Sequence, residues 1–226
     1  FPLLTENGTG YFNFGKLVTT AHLDGFHYAP RIDKALLAAH SSGLIGLSGC
    51  LAGEINNAIQ ANNIEKAKQS AAAYRDILGA ENFFVELHDH GMDEQKKCNT
   101  ELVQIAKDLG VGLVAANDVH FLRRSEHEAH DVMLCIGTGK MVQDEKRMRY
   151  VPELYFKGAE EMREIFGDYP ESLANTIAIA ERCDLKFEFV QSKFPEYKAP
   201  KYERSAEFFR ERCHDVRRKG DGRGTQ

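Results

Sequence analysis

Val114-Ala115-Ala116-Asn117-Asp118-Val119-His120-Phe121-Leu122 is where an apolar run, residues 111–116, gives way to polar side chains. The run is short and bounded by Gly110, which predicts a buried strand. Side chains i and i+2 of a strand share a side. If the chain stays extended past Ala116, Asp118 and His120 present a carboxylate and an imidazole together. That is the geometry of a metal half-site, or of an acid–base pair, at the C-terminal end of a strand. The plainer alternative is a strand end with a capping Asp and a surface His. The D-x-H spacing alone does not choose between them.

Outward from this stretch the same kind of segment recurs. Residues 44–47 and 83–87 read as strands. Helical patterns separate them. Residues 11–23 place Phe14, Leu17, Val18 and Ala21 on one face, after a turn cluster at residues 5–10. Residues 26–28 are a short exposed or strand-like piece. Asp33 caps a helix to His40, and residues 53–61 form a short helix. Asn63 caps a longer one to Leu78, striped by Ile64, Ala67, Ala71, Tyr74 and Leu78. Residues 93–109 are helical, with Leu102, Ile105, Ala106 and Leu109 inward and Gly110 as the stop.

Further on, a helix opens at residues 124–128 and is apolar at Val132, Leu134, Cys135 and Ile136. A brief strand is expected at residues 154–156, then helices at 158–166 and 169–183, the second lined by Leu173, Ile177 and Ala180. Phe194-Pro195 and Ala199-Pro200 mark a linker, and residues 205–213 start one more helix. Beyond about His214 the chain has almost nothing apolar to bury, so it is expected to be disordered or detached there. Strands alternating with helices indicate βα units around a parallel sheet or barrel. In such folds chemistry sits at the C-terminal strand ends. Cys50, then His88 and His90, then Asp118 and His120 fall in those places.

Composition narrows the classes. The 226 residues suit one large domain or two small ones, and 42% hydrophobic with 28% charged residues is ordinary for a globular protein. A net charge of −5 gives no global basic footprint, so a nucleic-acid role needs a local patch or a partner. No apolar run approaches the roughly 18 residues of a membrane span, and no membrane role is expected. Phe1-Pro2-Leu3-Leu4 has no charged signal-peptide start, and the missing initiating Met suggests a fragment or a processed product. The five widely spaced Cys, with no C-x-x-C, fit a reducing cytoplasm rather than a disulfide framework or zinc ribbon.

Taken together, several blocks resemble one family. They are Gly25–Tyr28 (G-F-H-Y), Pro30–Asp33 (P-R-I-D), Gly43–Glu54 (G-L-I-G-L-S-G-C-L-A-G-E), Phe84–Gly91 (F-V-E-L-H-D-H-G), Ala116–Leu122 (A-N-D-V-H-F-L) and His127–Lys140 (H-E-A-H-D-V-M-L-C-I-G-T-G-K). Glu160–Phe166 and Asn175–Cys183 fit as well. The chain is similar, from about Leu3 to Pro195, to the polymerase-and-histidinol-phosphatase (PHP) domain of bacterial replicative DNA polymerase III alpha subunits. L-S-G-C-L-A-G-E and A-N-D-V-H are the distinctive blocks.

The resemblance implies an α/β fold, a distorted (β/α)7 barrel of the PHP type, incomplete because its N-terminal strands would precede Phe1. Residues 1–195 would be the C-terminal part of the PHP domain. Residues 196–226 would be a linker and the start of the polymerase region, with an atypical Gly/Arg-rich tail. It implies metal ligands at His27, Cys50, Asp118 and His120, suited to zinc, or to manganese through imidazole and carboxylate. A full cluster would support metal-dependent 3′–5′ exonuclease chemistry. The parent would be a DNA-directed DNA polymerase using magnesium, with DNA, deoxynucleoside triphosphates, a proofreading subunit and a sliding clamp as partners. Further ligands and the catalytic palm would lie outside this chain, so the chain alone is expected to be inactive. The rival readings are a stand-alone PHP phosphoesterase related to histidinol phosphatase, and a degenerate structural module.

Other residues weigh mostly toward structure. By the resemblance His88 and His90 sit at the rim, outside the ligand set. His127 and His130, three apart on a helix, can pair or simply pack. Cys98, Cys135 and Cys183 read as buried small hydrophobes. Lys146, Arg147 and Arg149 offer weak DNA-backbone contacts, against a solvated basic loop as the alternative. Gly137-Thr138-Gly139-Lys140 follows a helix and lacks phosphate-loop spacing.

Overall fold

A computed structural model gives the structure of the chain and describes residues 1–187, 189 and 205–221. It has two compact units, Phe1–Lys186 and Phe187–Gln226. The first holds four strands, β1 (Leu3–Thr5), β2 (Leu44–Leu47), β3 (Phe83–Leu87) and β4 (Gly112–Ala115), in one mixed open sheet of order β1-β2-β3-β4. β1 runs antiparallel to β2, whereas β2, β3 and β4 are parallel. The C-terminal ends of the three parallel strands therefore share one edge of the sheet. This is an α/β fold.

Alternation along the strands sorts the side chains into two layers. Leu44, Phe83, Val85, Leu87, Leu113 and Ala115 enter the main core. Ile45, Phe84 and Val114 point the other way and pack with Ile179. All five residues of β3 are buried, which is why Phe-Phe-Val-Glu-Leu is apolar apart from Glu86. The main core is closed by α3 (Glu54–Gln60), α4 (Ile64–Leu78) and α5 (Asp93–Leu109), through residues such as Ile55, Ile59, Ala67, Ala71, Leu102 and Ile105. On the opposite layer α8 (Pro170–Arg182) lies against β4, where Asn175 Nδ2 donates to the Leu113 carbonyl at 2.7 Å. Full burial of one Ile or Phe stabilises by about 1.5–3 kcal/mol, so the main core is the dominant favourable term.

The helix starts follow local chemistry. Asn7 caps α1 (Gly8–Leu23), Asp33 caps α2 (Lys34–Ala39) and Asn63 caps α4, each accepting from a backbone N–H three residues on, at 3.1, 2.8 and 3.0 Å. α5 ends on Gly110 at φ +65°. Pro170 opens α8, where its lost N–H is an orphan anyway. A 3-10 turn (Arg124–Glu126) leads into α6 (His127–Thr138), and α7 is Ala159–Ile165.

Five readings are corrected or refined. The turn cluster at residues 5–10 hides a strand end and a helix start: Leu3–Thr5 pairs with β2, and Asn7 starts α1 early. Residues 154–156 form only an isolated bridge, Tyr155 against Phe121. On α8, Ser172 and Ile179 are buried while Ile177 is exposed, because the helix turns a different stripe toward β4. On α6, Cys135 is buried but Val132 and Ile136 are exposed. In the second unit α9 (Ser205–Asp221) continues past His214, so the stretch to Asp221 is helical rather than disordered; Arg and Lys are good helix formers. The linker signals Phe194-Pro195 and Ala199-Pro200, and the expected boundary at 195/196, lie outside the described residues.

The approach of α1 to the turn before β2 depends on two glycines. A Cβ on Gly10 would meet the Gly43 carbonyl oxygen at 1.9 Å, and Gly43 itself sits at φ +72°. Gly10→Ala is expected to lower the unfolding free energy by about 1–3 kcal/mol, the usual cost of overpacking. Urea titration followed by circular dichroism measures it, and an unchanged midpoint would refute this close approach.

Candidate metal centre

The site begins with a carboxylate inside the sheet. Glu86 sits on β3, pointing away from the main core, and is 7% exposed. It accepts from Gly49 N–H at 3.0 Å, and through its other oxygen it pairs with His88 Nε2 at 2.9 Å. Its own backbone N–H donates to Ser48 Oγ at 2.8 Å. Glu86 thus ties the end of β2 to β3 and aims one imidazole. A carboxylate oxygen at this distance fixes the His88 proton on Nε2.

The other nitrogen, His88 Nδ1, is buried without a hydrogen-bond partner. It lies 3.4 Å from Asp118 Oδ2, an ion-pair contact rather than a hydrogen bond. Burial alone pushes the His88 pKa down. Asp118 and Glu86 outweigh that and carry it up to about 9. The same contact with His88 holds Asp118 below the usual carboxylate range. The His88 contribution to stability is therefore full below its ordinary value of 6.5 and is lost as pH rises through about 9.

Asp118 reaches His88 because the backbone turns. Its φ is +46°, in the left-handed region that Asp tolerates better than most residues. The extended course supposed from the sequence stops here. His120 Nδ1 instead donates back to the Asp118 carbonyl at 2.9 Å, and its ring lies 4.4 Å from that of Tyr150.

His88, His90 and Asp118 offer one ligand atom each within 4.8 Å of one another, so this group could hold a metal ion. Two imidazoles and a carboxylate are a donor set that zinc or manganese accepts. His88 Nδ1, which makes no hydrogen bond and has only the 3.4 Å contact with Asp118, is the atom such an ion would take once its proton leaves. With its other ring nitrogen on a carboxylate, His88 shows the arrangement that orients metal-binding imidazoles in general.

Of the four ligands expected from the sequence, Asp118 is in this group. Cys50 follows β2 at the same edge of the sheet and lines a small cavity with Asn56, Glu86 and His88. His120 follows β4, one residue beyond Val119. His27 is exposed in an isolated bridge to Ala29, its ring 4.6 Å from that of Tyr28. His88 and His90, expected at a rim, are 6% and 3% exposed, inside the group. The signal for them was Glu86, a carboxylate in an otherwise apolar strand, two residues before the first His.

Most of the remaining candidates have structural partners. Arg147 forms a two-pronged pair with Asp131, at 2.5 and 2.6 Å. Arg149 donates to the Asp144 carbonyl at 3.2 Å, and Lys146 is exposed. His127 Nε2 donates to the Tyr150 carbonyl at 2.9 Å, and both His127 and His130 pack on Phe121. Among the described residues the cysteines are free, with Cys98 and Cys135 buried. No helix among them is long and apolar enough to cross a membrane.

Residues 1–90 match the PHP domain family. The DNA polymerase III subunit alpha of Treponema pallidum is 40% identical over 199 residues, that of Borreliella burgdorferi 43% over 200, and that of Thermus aquaticus 37% over 218. These matches cover 88%, 88% and 92% of this chain but only 17%, 17% and 18% of the relatives. The chain thus spans about 17% of the length of the curated relatives it matches. Its four-strand mixed sheet is consistent with part of a PHP domain, and the chain is homologous to the PHP region of the DNA polymerase III alpha subunit.

Proposed function

We propose that this chain is the PHP part of a bacterial replicative DNA polymerase and carries a divalent-metal site for phosphoester chemistry. The observation that supports it most is the buried His88 Nδ1, which makes no hydrogen bond and lies 3.4 Å from Asp118 Oδ2, in a chain homologous to that region. His27, Cys50 and His120 are proposed as further ligands that join Asp118 at one mouth, in a (β/α)7 barrel completed by strands outside this chain. Residues 1–195 would be PHP sequence, and residues 196–226 the linker and the start of the polymerase region.

Bound zinc or manganese would supply a polarised water and positive charge for a phosphate. The chain's own residues act around it. Glu86 orients His88. Asp118 supplies a carboxylate through a left-handed turn. Lys146 and Arg149 are proposed as weak backbone contacts for DNA. Arg147 is a poor candidate beside them, since Asp131 already holds it. The parent's activity would be magnesium-dependent DNA synthesis from deoxynucleoside triphosphates, in the cytoplasm, with a proofreading subunit and a sliding clamp as partners. A histidinol-phosphatase-like enzyme is the second reading, but the relatives found are polymerase subunits.

Two outcomes test this reading. The 226-residue chain alone should bind zinc or manganese weakly, dissolve poorly, and show neither polymerase nor 3′–5′ exonuclease activity. Calorimetric titration and single-stranded DNA degradation with added metal measure this. Robust exonuclease activity abolished by His120→Ala would overturn the expectation of inactivity. Glu86→Ala, which leaves His88 and Gly49 N–H without their acceptor, should cost about 3–5 kcal/mol of stability. It should also abolish the response to zinc. A variant as stable as the parent chain would show that Glu86 is not the support described here.

A further inference from the structure

The two imidazoles of the group are not equivalent. His90 uses both ring nitrogens. Its Nε2 lies 3.0 Å from the Asn117 carbonyl oxygen, which can only accept, so Nε2 carries the proton. Its Nδ1 lies 2.8 Å from Gln95 Nε2. The orientation of the Gln95 amide is set independently, because Gln95 Oε1 accepts from His90 backbone N–H at 2.7 Å. The amide nitrogen must therefore donate to Nδ1, and the one lone pair His90 could give a metal is already engaged. His88, by contrast, makes no hydrogen bond at Nδ1 and has there only the 3.4 Å contact with Asp118 Oδ2, which an ion held by both would replace.

We infer that Gln95 is a positioning residue that keeps His90 out of the coordination sphere of an entering ion, leaving His88 and Asp118 as the entry pair. Gln95 is 3% exposed, on the first turn of α5, with its backbone N–H on the Met92 carbonyl at 3.1 Å. One turn on, Asn99 Nδ2 donates to the His88 carbonyl at 2.9 Å. The start of α5 thus closes over both histidines at once. On the far side the Asn117 side chain clasps the Lys157 backbone, donating to its carbonyl at 3.0 Å and accepting from its N–H at 3.3 Å. The carbonyl that fixes His90 Nε2–H belongs to this clasped residue. His90 joins an ion only if the Gln95 amide swings away.

This inference rests on the metal reading, and the test separates the two. The 226-residue chain, labelled with nitrogen-15 in its imidazoles, is titrated with zinc alone and followed by NMR. Before zinc, His90 should show a protonated Nε2 and an accepting Nδ1. On titration the His88 Nδ1 signal should move while His90 Nδ1 stays. In Gln95→Met, checked for folding by its amide spectrum, His90 Nδ1 should move as well, and zinc should bind more tightly than to the unmodified chain. His90 Nδ1 moving together with His88 in the unmodified chain overturns the role of Gln95. That result needs no variant and leaves the metal reading standing. If no imidazole responds at saturating zinc, the metal reading itself fails and takes this inference with it.

Discussion

A single buried carboxylate, Glu86, sets the terms for the rest of this structure. Burying a charge costs several kcal/mol unless polar partners surround it. Gly49 N–H and the His88 ring provide them, and Ser48 Oγ takes the adjacent backbone N–H. These partners come from the ends of two neighbouring parallel strands. Satisfying one carboxylate therefore fixes the register of the β2 and β3 ends, the course of the loop that carries Cys50, and the direction of His88. The apolar core beneath gives stability without direction. The carboxylate gives direction.

The second determinant is backbone shape at Asp118. A strand that stayed extended would send its carboxylate along the line of β4. The left-handed turn at φ +46° brings it back over the sheet edge to His88. A non-glycine residue in that region carries some strain, and such residues persist where their surroundings hold them. Here His120 Nδ1 bonds to the Asp118 carbonyl, and Asn117 is clasped to Lys157. The polar groups flanking the turn hold it from both sides.

This division explains what the sequence revealed. Parallel strands at residues 44–47 and 83–87, and one inside 111–116, were legible because each is an apolar run bounded by turn residues. Helix starts at Asp33 and Asn63 were legible because a cap is a local event. The choice of residues at strand ends also singled out Asp118. Three things were not legible. The edge strand Leu3–Thr5 is three residues long, and its partner lies about forty residues away. The turn at Asp118 is a tertiary outcome that D-x-H spacing does not encode. The burial of His88 and His90 depends on α5 folding over them, whereas on the page H-D-H looks like an exposed loop.

The charge balance at the centre links these pieces. Asp118 and Glu86 both face His88, so two carboxylates converge on one ring in a largely dry place. Such an arrangement is stable only with positive charge between the carboxylates. In the metal-free chain the protonated ring supplies it, which is why the pKa of His88 is carried up against the effect of burial. A divalent ion would supply the same charge at the same place and would have to replace that proton, so binding is linked to proton release. His90, neutral and closed by Gln95, contributes no charge to the balance. Its pKa is held down mainly by burial, which suits a ring that works by hydrogen bonding alone. The group is thus built around a need for a cation, with one imidazole that can exchange its proton for an ion and one that holds the frame.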